Sequence, residues 1–287
     1  MCANTTLHEI ESMLGPPAHS GEGYLIYQGD CMDYLKHLED GALALTVTSP
    51  PYNIGKEYES IREIDHYIEW CKRWIHELYR VTSDNGSFWL NLGYVALASR
   101  AKAIPIPYLL WDQVPFFMLQ EIVWNYGAGV AAKRTFSPRN EKFLWYVKNP
   151  DDYVFNLDDI RDPSVKYPNQ KKNGKLKCNP LGKNPTDVWQ IPKVTSGKDR
   201  SSKERTLHPA QFPIAVVERI VKACSAPGDI VLDPFLGSGS LIEAALRSER
   251  LAIGFEINPK YVDLAAKRVR AFLRARGQQL AQRPLFR

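Results

Sequence analysis

The sequence predicts an α/β fold with a mostly parallel sheet. Short apolar runs alternate with segments of helical period in residues 24–160, and the same alternation returns in residues 208–276. Between them, residues 161–207 lack periodicity and are rich in Lys, Asn, Pro, Gly and Ser. Strands that alternate with helices favour a parallel sheet covered on both faces, and 287 residues suffice for one such domain that carries an insert.

The first half supplies most of the predicted strands. Tyr24–Tyr27 is apolar and stops before Gly29, and Ala42–Thr48 is an apolar run that stops at two prolines. The intervening segment Cys31–Leu38 reads as a helix, and His66–Val81 is amphipathic with a helical period. Three further strands are predicted at Ser87–Asn91, Leu119–Trp124 and Lys142–Val147.

The second half repeats the pattern. Pro213 suits the first turn of a helix whose apolar stripe consists of Ile214, Val217, Val221 and Cys224. The elements predicted after it are a strand at Ile230–Leu232, a helix at Ser240–Arg247, a strand at Leu251–Phe255, and a helix that Asn258 caps and that runs from Pro259 to about Arg276. The Gln-rich tail is expected to fray.

Composition excludes several classes of protein. With 44% apolar and 24% charged residues, the chain is neither disordered nor fibrous. It has no apolar run of eighteen residues, so no membrane partner is expected, and residues 1–15 lack the features of a signal peptide. The five cysteines form no CxxC pair, which favours a reducing cytoplasm without disulfides or a metal site.

Positive charge is concentrated in one segment. Residues 161–205 contain twelve Lys and Arg against four Asp and Glu, a net charge of +8, while the rest of the chain has 25 basic and 28 acidic residues, a net charge of −3. Such asymmetry indicates a polyanionic partner, although a solvated lysine-rich loop would have the same composition.

A glycine bend, Asp233–Gly239, follows a predicted strand. Without Cβ atoms, Gly237 and Gly239 let a ligand approach the backbone at the start of a helix. Glu256 ends the next strand, where an acid accepts from the two hydroxyls of a ribose. The dinucleotide fingerprint GxGxxG lacks its third glycine, and Asp233 repels phosphate but pairs with an ammonium group. The pattern points to S-adenosylmethionine; a lone GxG is also compatible with a plain turn.

A second bend, Ser49–Tyr52, directly follows a predicted buried strand. Its two prolines fix the backbone, so the carbonyls before and between them face outward beside the hydroxyl of Ser49. Tyr52 adds an aromatic face. Acceptors beside a flat ring suit a planar group that bears an amine, and accepting its hydrogens lets the nitrogen attack a methyl group in line. A polyproline turn on the surface is the alternative.

Six motifs resemble those of the amino-methylating DNA methyltransferases of bacterial restriction–modification systems: Thr48–Asn53, Phe88–Gly93, Asp187–Pro192, His208–Pro213, Asp233–Gly239 and Gly254–Glu256. The target-amine loop comes first, then the basic region, then the cofactor loop, an order that resembles the β class. The resemblance covers residues 24–270 and implies a Rossmann-like, S-adenosylmethionine-dependent methyltransferase fold with a circularly permuted motif order.

The resemblance also implies a division of the chain and its partners. A catalytic half with the target-amine loop would span 24–155, a target-recognition insert 156–207, the cofactor-binding half 208–276 and a tail 277–287. Implied partners are double-stranded DNA, a restriction endonuclease encoded separately, and a second copy paired through helices that flank the sheet. The implied location is the bacterial cytoplasm, in association with DNA.

Individual roles follow from the same resemblance. The catalytic residues would be Ser49, Pro50, Pro51 and Tyr52. The cofactor-binding residues would be Asp30 near the adenine, Asp233, Pro234, Phe235, Gly237, Ser238, Gly239, Glu256 on the ribose, and His208 over the methionine end, unless His208 is only a helix-entry residue. The candidate phosphate contacts are Lys198, Arg200, Lys203 and Arg205.

The identity of the target base rests on two positions. Ser49 and Phe212 are more similar to cytosine-N4 enzymes than to adenine-N6 enzymes, which frequently have an acid or Asn at the first position and Lys at the second. Cytosine-C5 methylation needs a thiolate in a Pro-Cys context, and no cysteine here follows a proline. The target inside a duplex must be flipped out, and Tyr52 can stack on it.

Three alternatives remain. The first is adenine-N6 methylation by the same kind of enzyme. The second is a methyltransferase for protein glutamine or RNA, against which the motif order argues. The third is a non-catalytic DNA-binding protein on the same scaffold, against which the intact bends argue.

Overall fold

The computed structural model describes residues 5–56, 61–98, 100–129, 131–194 and 204–281. Its strands are β1 (His19–Gly21), β2 (Tyr24–Gln28), β3 (Leu43–Thr48), β4 (Thr82–Leu92), β5 (Tyr94–Leu97), β6 (Ala101–Pro105), β7 (Phe117–Asn125), β8 (Asn140–Val147), β9 (Lys171–Lys172), β10 (Lys175–Leu176), β11 (Val188–Gln190), β12 (Ile230–Asp233) and β13 (Leu251–Glu256). Its helices are α1 (Leu7–Leu14), α2 (Cys31–Leu35), α3 (Ile64–Val81), α4 (Ile106–Leu110), α5 (Ile214–Cys224), α6 (Ser240–Arg247) and α7 (Pro259–Ala281), with a short 3-10 helix at Leu157–Ile160.

Nine strands form one mixed sheet in the order β1-β2-β13-β12-β3-β4-β8-β7-β11. The pairs from β2 to β4 are parallel, and so is β7 with β11, whereas β1, β8 and their neighbours pair antiparallel. The prediction of an α/β fold with a mostly parallel sheet is therefore confirmed. Strands β12 and β13 from the end of the chain are inserted between β2 and β3 from its beginning, which is the physical expression of the permuted motif order.

Both faces of the sheet are covered. One hydrophobic cluster packs the sheet against α5, α6 and α7, and a second packs the opposite face against α1, α2, α3 and α4. The predicted stripe of α5 lies in the first cluster, where its residues are buried. Because the parallel strands run in one direction, the loops after β3, β12 and β13 leave from the same edge, and ligands bind at this edge in such sheets.

Several elements differ from the sequence prediction. Helix α1 was not predicted, although Thr6 and Glu9 form a capping box at its start and Ile10 is buried. Helix α7 extends to Ala281, so the helix includes the first residues of the segment expected to be a frayed tail.

Among the helices in the described ranges, none is long and apolar enough to cross a membrane.

The predicted recognition region contributes a strand to the central sheet. Asp187–Pro192 is one of the six motifs, to which the sequence analysis assigned no strand, and its middle residues form β11, which pairs in parallel with β7. The ring of Trp189 stacks on that of Trp89 with 5.9 Å between centroids. The predicted recognition insert is therefore held to the sheet by β11, while its bounds, 156–207, stay a prediction.

Candidate active site

The two predicted bends open onto one cavity. Thr48, the last residue of β3, donates a 2.7 Å hydrogen bond from its hydroxyl to Oδ1 of Asp233, the last residue of β12. Because β3 and β12 are neighbouring parallel strands, the bend after each begins at the same edge of the sheet. The cavity has a volume of about 250 Å³. The predicted site residues that line it are Asp30, Ser49, Pro50, Pro51, Tyr52, His208, Asp233, Pro234, Phe235, Gly237, Ser238 and Glu256.

The bend Ser49–Tyr52 is fixed by hydrogen bonds on both of its sides. Oγ of Ser49 lies 2.8 Å from the hydroxyl of Tyr52 and 3.4 Å from Oδ1 of Asn91. The Tyr52 hydroxyl also donates to Oδ1 of Asn91. On the other side, the hydroxyl of Tyr67 in α3 donates to the carbonyl of Pro51 at 2.7 Å. The acceptors of the bend are therefore held in place before any ligand arrives.

Asn91 is a site residue that the sequence analysis did not single out. It lies in β4 with no exposed surface, and its amide Nδ2 donates to the carbonyl of Lys142 at 2.9 Å, which turns Oδ1 toward Tyr52. A buried amide within the apolar run Phe88–Leu92 was the available signal, because buried polar groups need partners. The adjacent Gly93 is also required, since a Cβ there would lie 2.7 Å from the Tyr52 ring.

An aromatic wall joins the two bends. Asn53 follows the first bend with a φ of +61°, and its side chain accepts from the amide of Arg62 at 2.6 Å and donates to the Arg62 carbonyl at 2.8 Å. The guanidinium of Arg62 lies 5.1 Å from the centre of the Trp70 ring. Trp70 in turn contacts Phe235 of the glycine bend, with 5.6 Å between ring centroids. This wall gives the cavity an apolar side that suits a flat ring.

Two buried carboxylates occupy the floor of the cavity. Asp233 is 5% exposed, and burial raises its pKa from the ordinary 3.8 to about 7, with a further contribution from the nearby charge of Glu256. The Thr48 hydroxyl and the Phe235 amide, which donates at 3.1 Å, oppose this rise. Burial also raises the pKa of Glu256, whose oxygens accept from the amides of Gly237 at 2.8 Å and Asn258 at 2.9 Å.

The two glycines of the second bend have different roles. Gly237 has a φ of +52°, and a Cβ on it would lie 2.9 Å from Nε2 of His208, so the imidazole covers this glycine. The same ring contacts Tyr261 with 4.5 Å between centroids. Gly239 was predicted to contact the cofactor, but it is not among the residues that line the cavity. With a φ of +76°, it lets Ala265 of α7 approach, since a Cβ would lie 2.9 Å from the Ala265 Cβ.

The remaining predicted residues lie at the periphery or outside the described ranges. Asp30 ends the loop after β2, caps α2 by accepting from the Met32 amide at 2.9 Å, and lines the mouth of the cavity. Arg205 is exposed. The other candidate phosphate contacts, Lys198, Arg200 and Lys203, lie outside the described residues, so their role stays a prediction.

The cavity fits S-adenosylmethionine. Within the described part of the chain, neither Asp233 nor Glu256 forms an ion pair, so a cation would relieve the cost of burying their charges. Asp233 would hold the ammonium group of the methionine end, and Glu256 has lone pairs left for ribose hydroxyls after accepting two amides. Gly237 lines the cavity without a Cβ, so no side chain of its own blocks the approach of such a ligand.

Similarity to known proteins agrees with this geometry. The N6/N4 methyltransferase family model, described as DNA methylase, matches residues 43–267. The type II methyltransferase M.ScaI of Streptomyces caespitosus is 59% identical over 93% of this chain and 88% of its own length. The DNA adenine methyltransferase YhdJ of Escherichia coli is 32% identical over 93% of this chain and 90% of its own length.

Solved structures share the fold. The PvuII DNA methyltransferase, described as cytosine-N4-specific, superposes with a TM-score of 0.70 at 21% identity, over 89% of each chain. M1.HpyAVI in complex with S-adenosylmethionine superposes with a TM-score of 0.56 at 25% identity, over 86% of this chain and 98% of its own. The resemblance inferred from the motifs and the cofactor prediction are thereby confirmed. The chain belongs to the N6/N4 family of S-adenosylmethionine-dependent DNA methyltransferases of the restriction–modification type.

Proposed function

We propose that this chain methylates the exocyclic N4 amine of cytosine at a specific site in duplex DNA, as the modification enzyme of a restriction–modification system in the bacterial cytoplasm. The observation that carries the proposal is the shared cavity. The Ser49–Tyr52 bend and the glycine bend line it together, and the Thr48–Asp233 hydrogen bond joins their roots.

The target base would stack on the Tyr52 ring, with its exocyclic amine against the acceptors of the bend. S-adenosylmethionine supplies a methyl group on a sulfonium. The amine nitrogen forms a bond to that methyl carbon as the carbon–sulfur bond breaks, and a proton then leaves the nitrogen for solvent. Ser49 assists by accepting one N–H of the amine, because this keeps the nitrogen lone pair out of the ring. Asp233 and Glu256 would hold the donor in the cavity that the bend also lines.

The Ser49 hydroxyl can serve as an uncharged hydrogen-bond acceptor for the amine of the target base. Its hydrogen can point to Asn91 or Tyr52, which leaves the lone pairs of Oγ for the substrate. Phe212 lines the other side of the cavity and packs on Phe143 with 5.4 Å between centroids, so an apolar residue belongs at this position. Both features are those that resemble cytosine-N4 enzymes, and the PvuII enzyme with the same fold is described as cytosine-N4-specific.

Adenine-N6 methylation is the second candidate. YhdJ, which is named as a DNA adenine methyltransferase, is 32% identical to this chain. The acceptors of the bend could hold either exocyclic amine. The acceptors alone therefore do not distinguish the two bases, and the experiment has to identify the methylated product.

The test is product analysis. Purified protein is incubated with unmethylated duplex DNA and S-adenosylmethionine labelled in the methyl group, and the DNA is digested to nucleosides. We expect the label in N4-methylcytosine. Label in N6-methyladenine would replace the proposed base and keep the enzyme class, and label in 5-methylcytosine would contradict direct transfer to an amine.

Two further measurements make this test specific. Ser49→Ala removes the acceptor and should slow transfer, while the affinity for the cofactor stays at the wild-type value. Long-read sequencing of DNA from expressing cells would report the modified base together with its sequence context. A separately encoded endonuclease and a homodimer remain parts of this proposal, which co-expression and sedimentation would test.

A further inference from the structure

A basic loop projects from the sheet edge beside the target-amine bend. It comprises residues 131–139, between β7 and β8, and is called the basic loop below. Strand β8 lies next to β4, with Leu92 opposite Lys142. The Lys142 carbonyl accepts from Asn91, which holds the Tyr52 hydroxyl. The root of the basic loop is therefore only a few residues from the contacts that position Tyr52.

The other side of the basic loop faces the predicted recognition region. Strand β11 pairs with β7 so that Gln190 lies opposite Asn125, at the point where β7 enters the loop. Beyond β11, Lys193 forms an ion pair with Glu141 and lies 3.9 Å from the centre of the Tyr126 ring. The order β4-β8-β7-β11 thus places the basic loop between the target-amine bend and β11, the strand that the predicted recognition insert contributes to the sheet.

The composition of the basic loop matches a polyanion. It contains Lys133, Arg134 and Arg139 and no acidic residue. The amide of Ala132 donates to Oγ of Ser137 at 2.9 Å, which closes the tip of the loop around Lys133, Arg134 and the ring that follows them.

That ring is Phe136, which is fully exposed to solvent and belongs to neither hydrophobic cluster. An exposed phenylalanine flanked by cations at the edge that receives the substrate suits DNA, since phosphates attract the cations and every base offers a face for stacking. A partner protein would be better matched by a continuous apolar patch than by one ring among charges.

We propose that the tip of the basic loop enters the DNA duplex next to the target nucleotide. Lys133 and Arg134 contact phosphates, and Phe136 stacks in the space that the flipped base leaves. The inference rests on the DNA methyltransferase activity and adds the element that stabilises the open duplex. Flipping costs free energy, and a ring that fills the vacated position offsets part of that cost.

The experiment compares Phe136→Ala with the wild type on two duplexes that carry the methylation site found by sequencing. One duplex is fully paired, and the other has a mismatch opposite the target base. We expect kcat/KM on the paired duplex to fall about 10- to 100-fold, as for the loss of stacking on one base. On the mismatched duplex, kcat/KM of Phe136→Ala should lie within about threefold of the wild-type value, because the target base is already loosened. Phe136 is exposed, so the melting temperature should not change.

Phe117→Ala is the matched control. Phe117 is also exposed, at 52%, but it begins β7 at the opposite end of the sheet, across from Val147. The Phe117→Ala variant should methylate both duplexes at the wild-type rate.

Three results would overturn the inference. The first is a Phe136→Ala variant that methylates the paired duplex at the wild-type rate. The second is an equal loss on both duplexes. The third is a loss that accompanies a change of oligomeric state in sedimentation, which would assign Phe136 to a contact between protein copies.

The readout is total label in DNA, so it does not depend on which base is methylated. Only a wild-type chain that transfers no label to DNA would refute the activity together with this inference.

Discussion

Replacing Asp233 by Asn should stabilise the free protein and disable cofactor binding. The carboxyl is buried, and within the described residues it forms no ion pair. Burial raises its pKa from 3.8 to about 7, so the folded protein holds a proton there that the unfolded chain releases. The asparagine side chain would keep an oxygen for the Thr48 hydroxyl and the Phe235 amide, but it carries no charge at any pH.

The magnitude follows from this rise in pKa. Well below pH 3.8 the carboxyl is neutral in both the folded and the unfolded state, and its burial then carries no cost from ionisation. As the pH rises from about 4 to about 7, the unfolded state loses its proton first, and the free energy of unfolding decreases by about 1.4 kcal/mol per pH unit. Above pH 7 the free-energy cost of burying the Asp233 carboxylate is constant, at no more than about 4 kcal/mol. We expect Asp233→Asn to be more stable than the wild type by about 2–4 kcal/mol at pH 8 and equally stable near pH 4.

The assay is urea unfolding of wild type and variant at several pH values between 4 and 8. Asp112→Asn serves as the control, because Asp112 is exposed and its replacement should have little effect on stability. Calorimetric titration with S-adenosylmethionine completes the experiment. Removal of one partner from a buried charge pair costs about 3–5 kcal/mol, so affinity should fall about 100-fold or more.

Two outcomes would refute this reasoning. A stability difference that does not vary with pH would show that Asp233 is ionised at no cost in the free protein. Wild-type affinity for the cofactor in Asp233→Asn would remove the carboxylate from the ammonium site.

Three further predictions concern the bends and the basic loop. Tyr52→Ala should lower turnover about 5- to 150-fold through lost stacking while cofactor affinity stays unchanged, and Tyr52→Phe should recover most of it; the role is misassigned if cofactor binding is lost instead. Gly237→Ala should weaken cofactor binding at least about tenfold, because its φ is +52° and the new Cβ would lie 2.9 Å from the His208 ring; unchanged affinity in a calorimeter would contradict this. Replacing both Lys133 and Arg134 by Ala should reduce the slope of log affinity for DNA against log salt by about 0.9 per lost phosphate contact, and an unaltered slope would exclude them from the interface.

The elements that are set by local pattern were predictable. Strands β2, β3, β12 and β13 and helices α5 and α6 lie where apolar periodicity and turn residues place them, within one or two residues. Strand β11 was not predicted as a strand, because three residues carry no measurable period and its pairing with the distant β7 is a tertiary contact.

The candidate site also has features that the local sequence predicted and features that depend on tertiary contacts. The residue types at Asp233, Glu256 and Ser49–Tyr52 predicted the chemistry, and strand order brought them together. What could not be predicted is support from distant residues. Asn91 orients Tyr52 from another strand, and Ala265 in α7 packs where a Cβ on Gly239 would lie.

The central claim is that a methyl group crosses between the two bends. The most direct measurement is a crystal structure of the protein with a cofactor analogue and its DNA site. We expect an extruded cytosine stacked on Tyr52, with its exocyclic nitrogen at hydrogen-bond distance from the Ser49 hydroxyl and within about 3–3.5 Å of the position of the methyl group. A cofactor bound away from Asp233, or a target base that remains stacked in the duplex, would contradict the account.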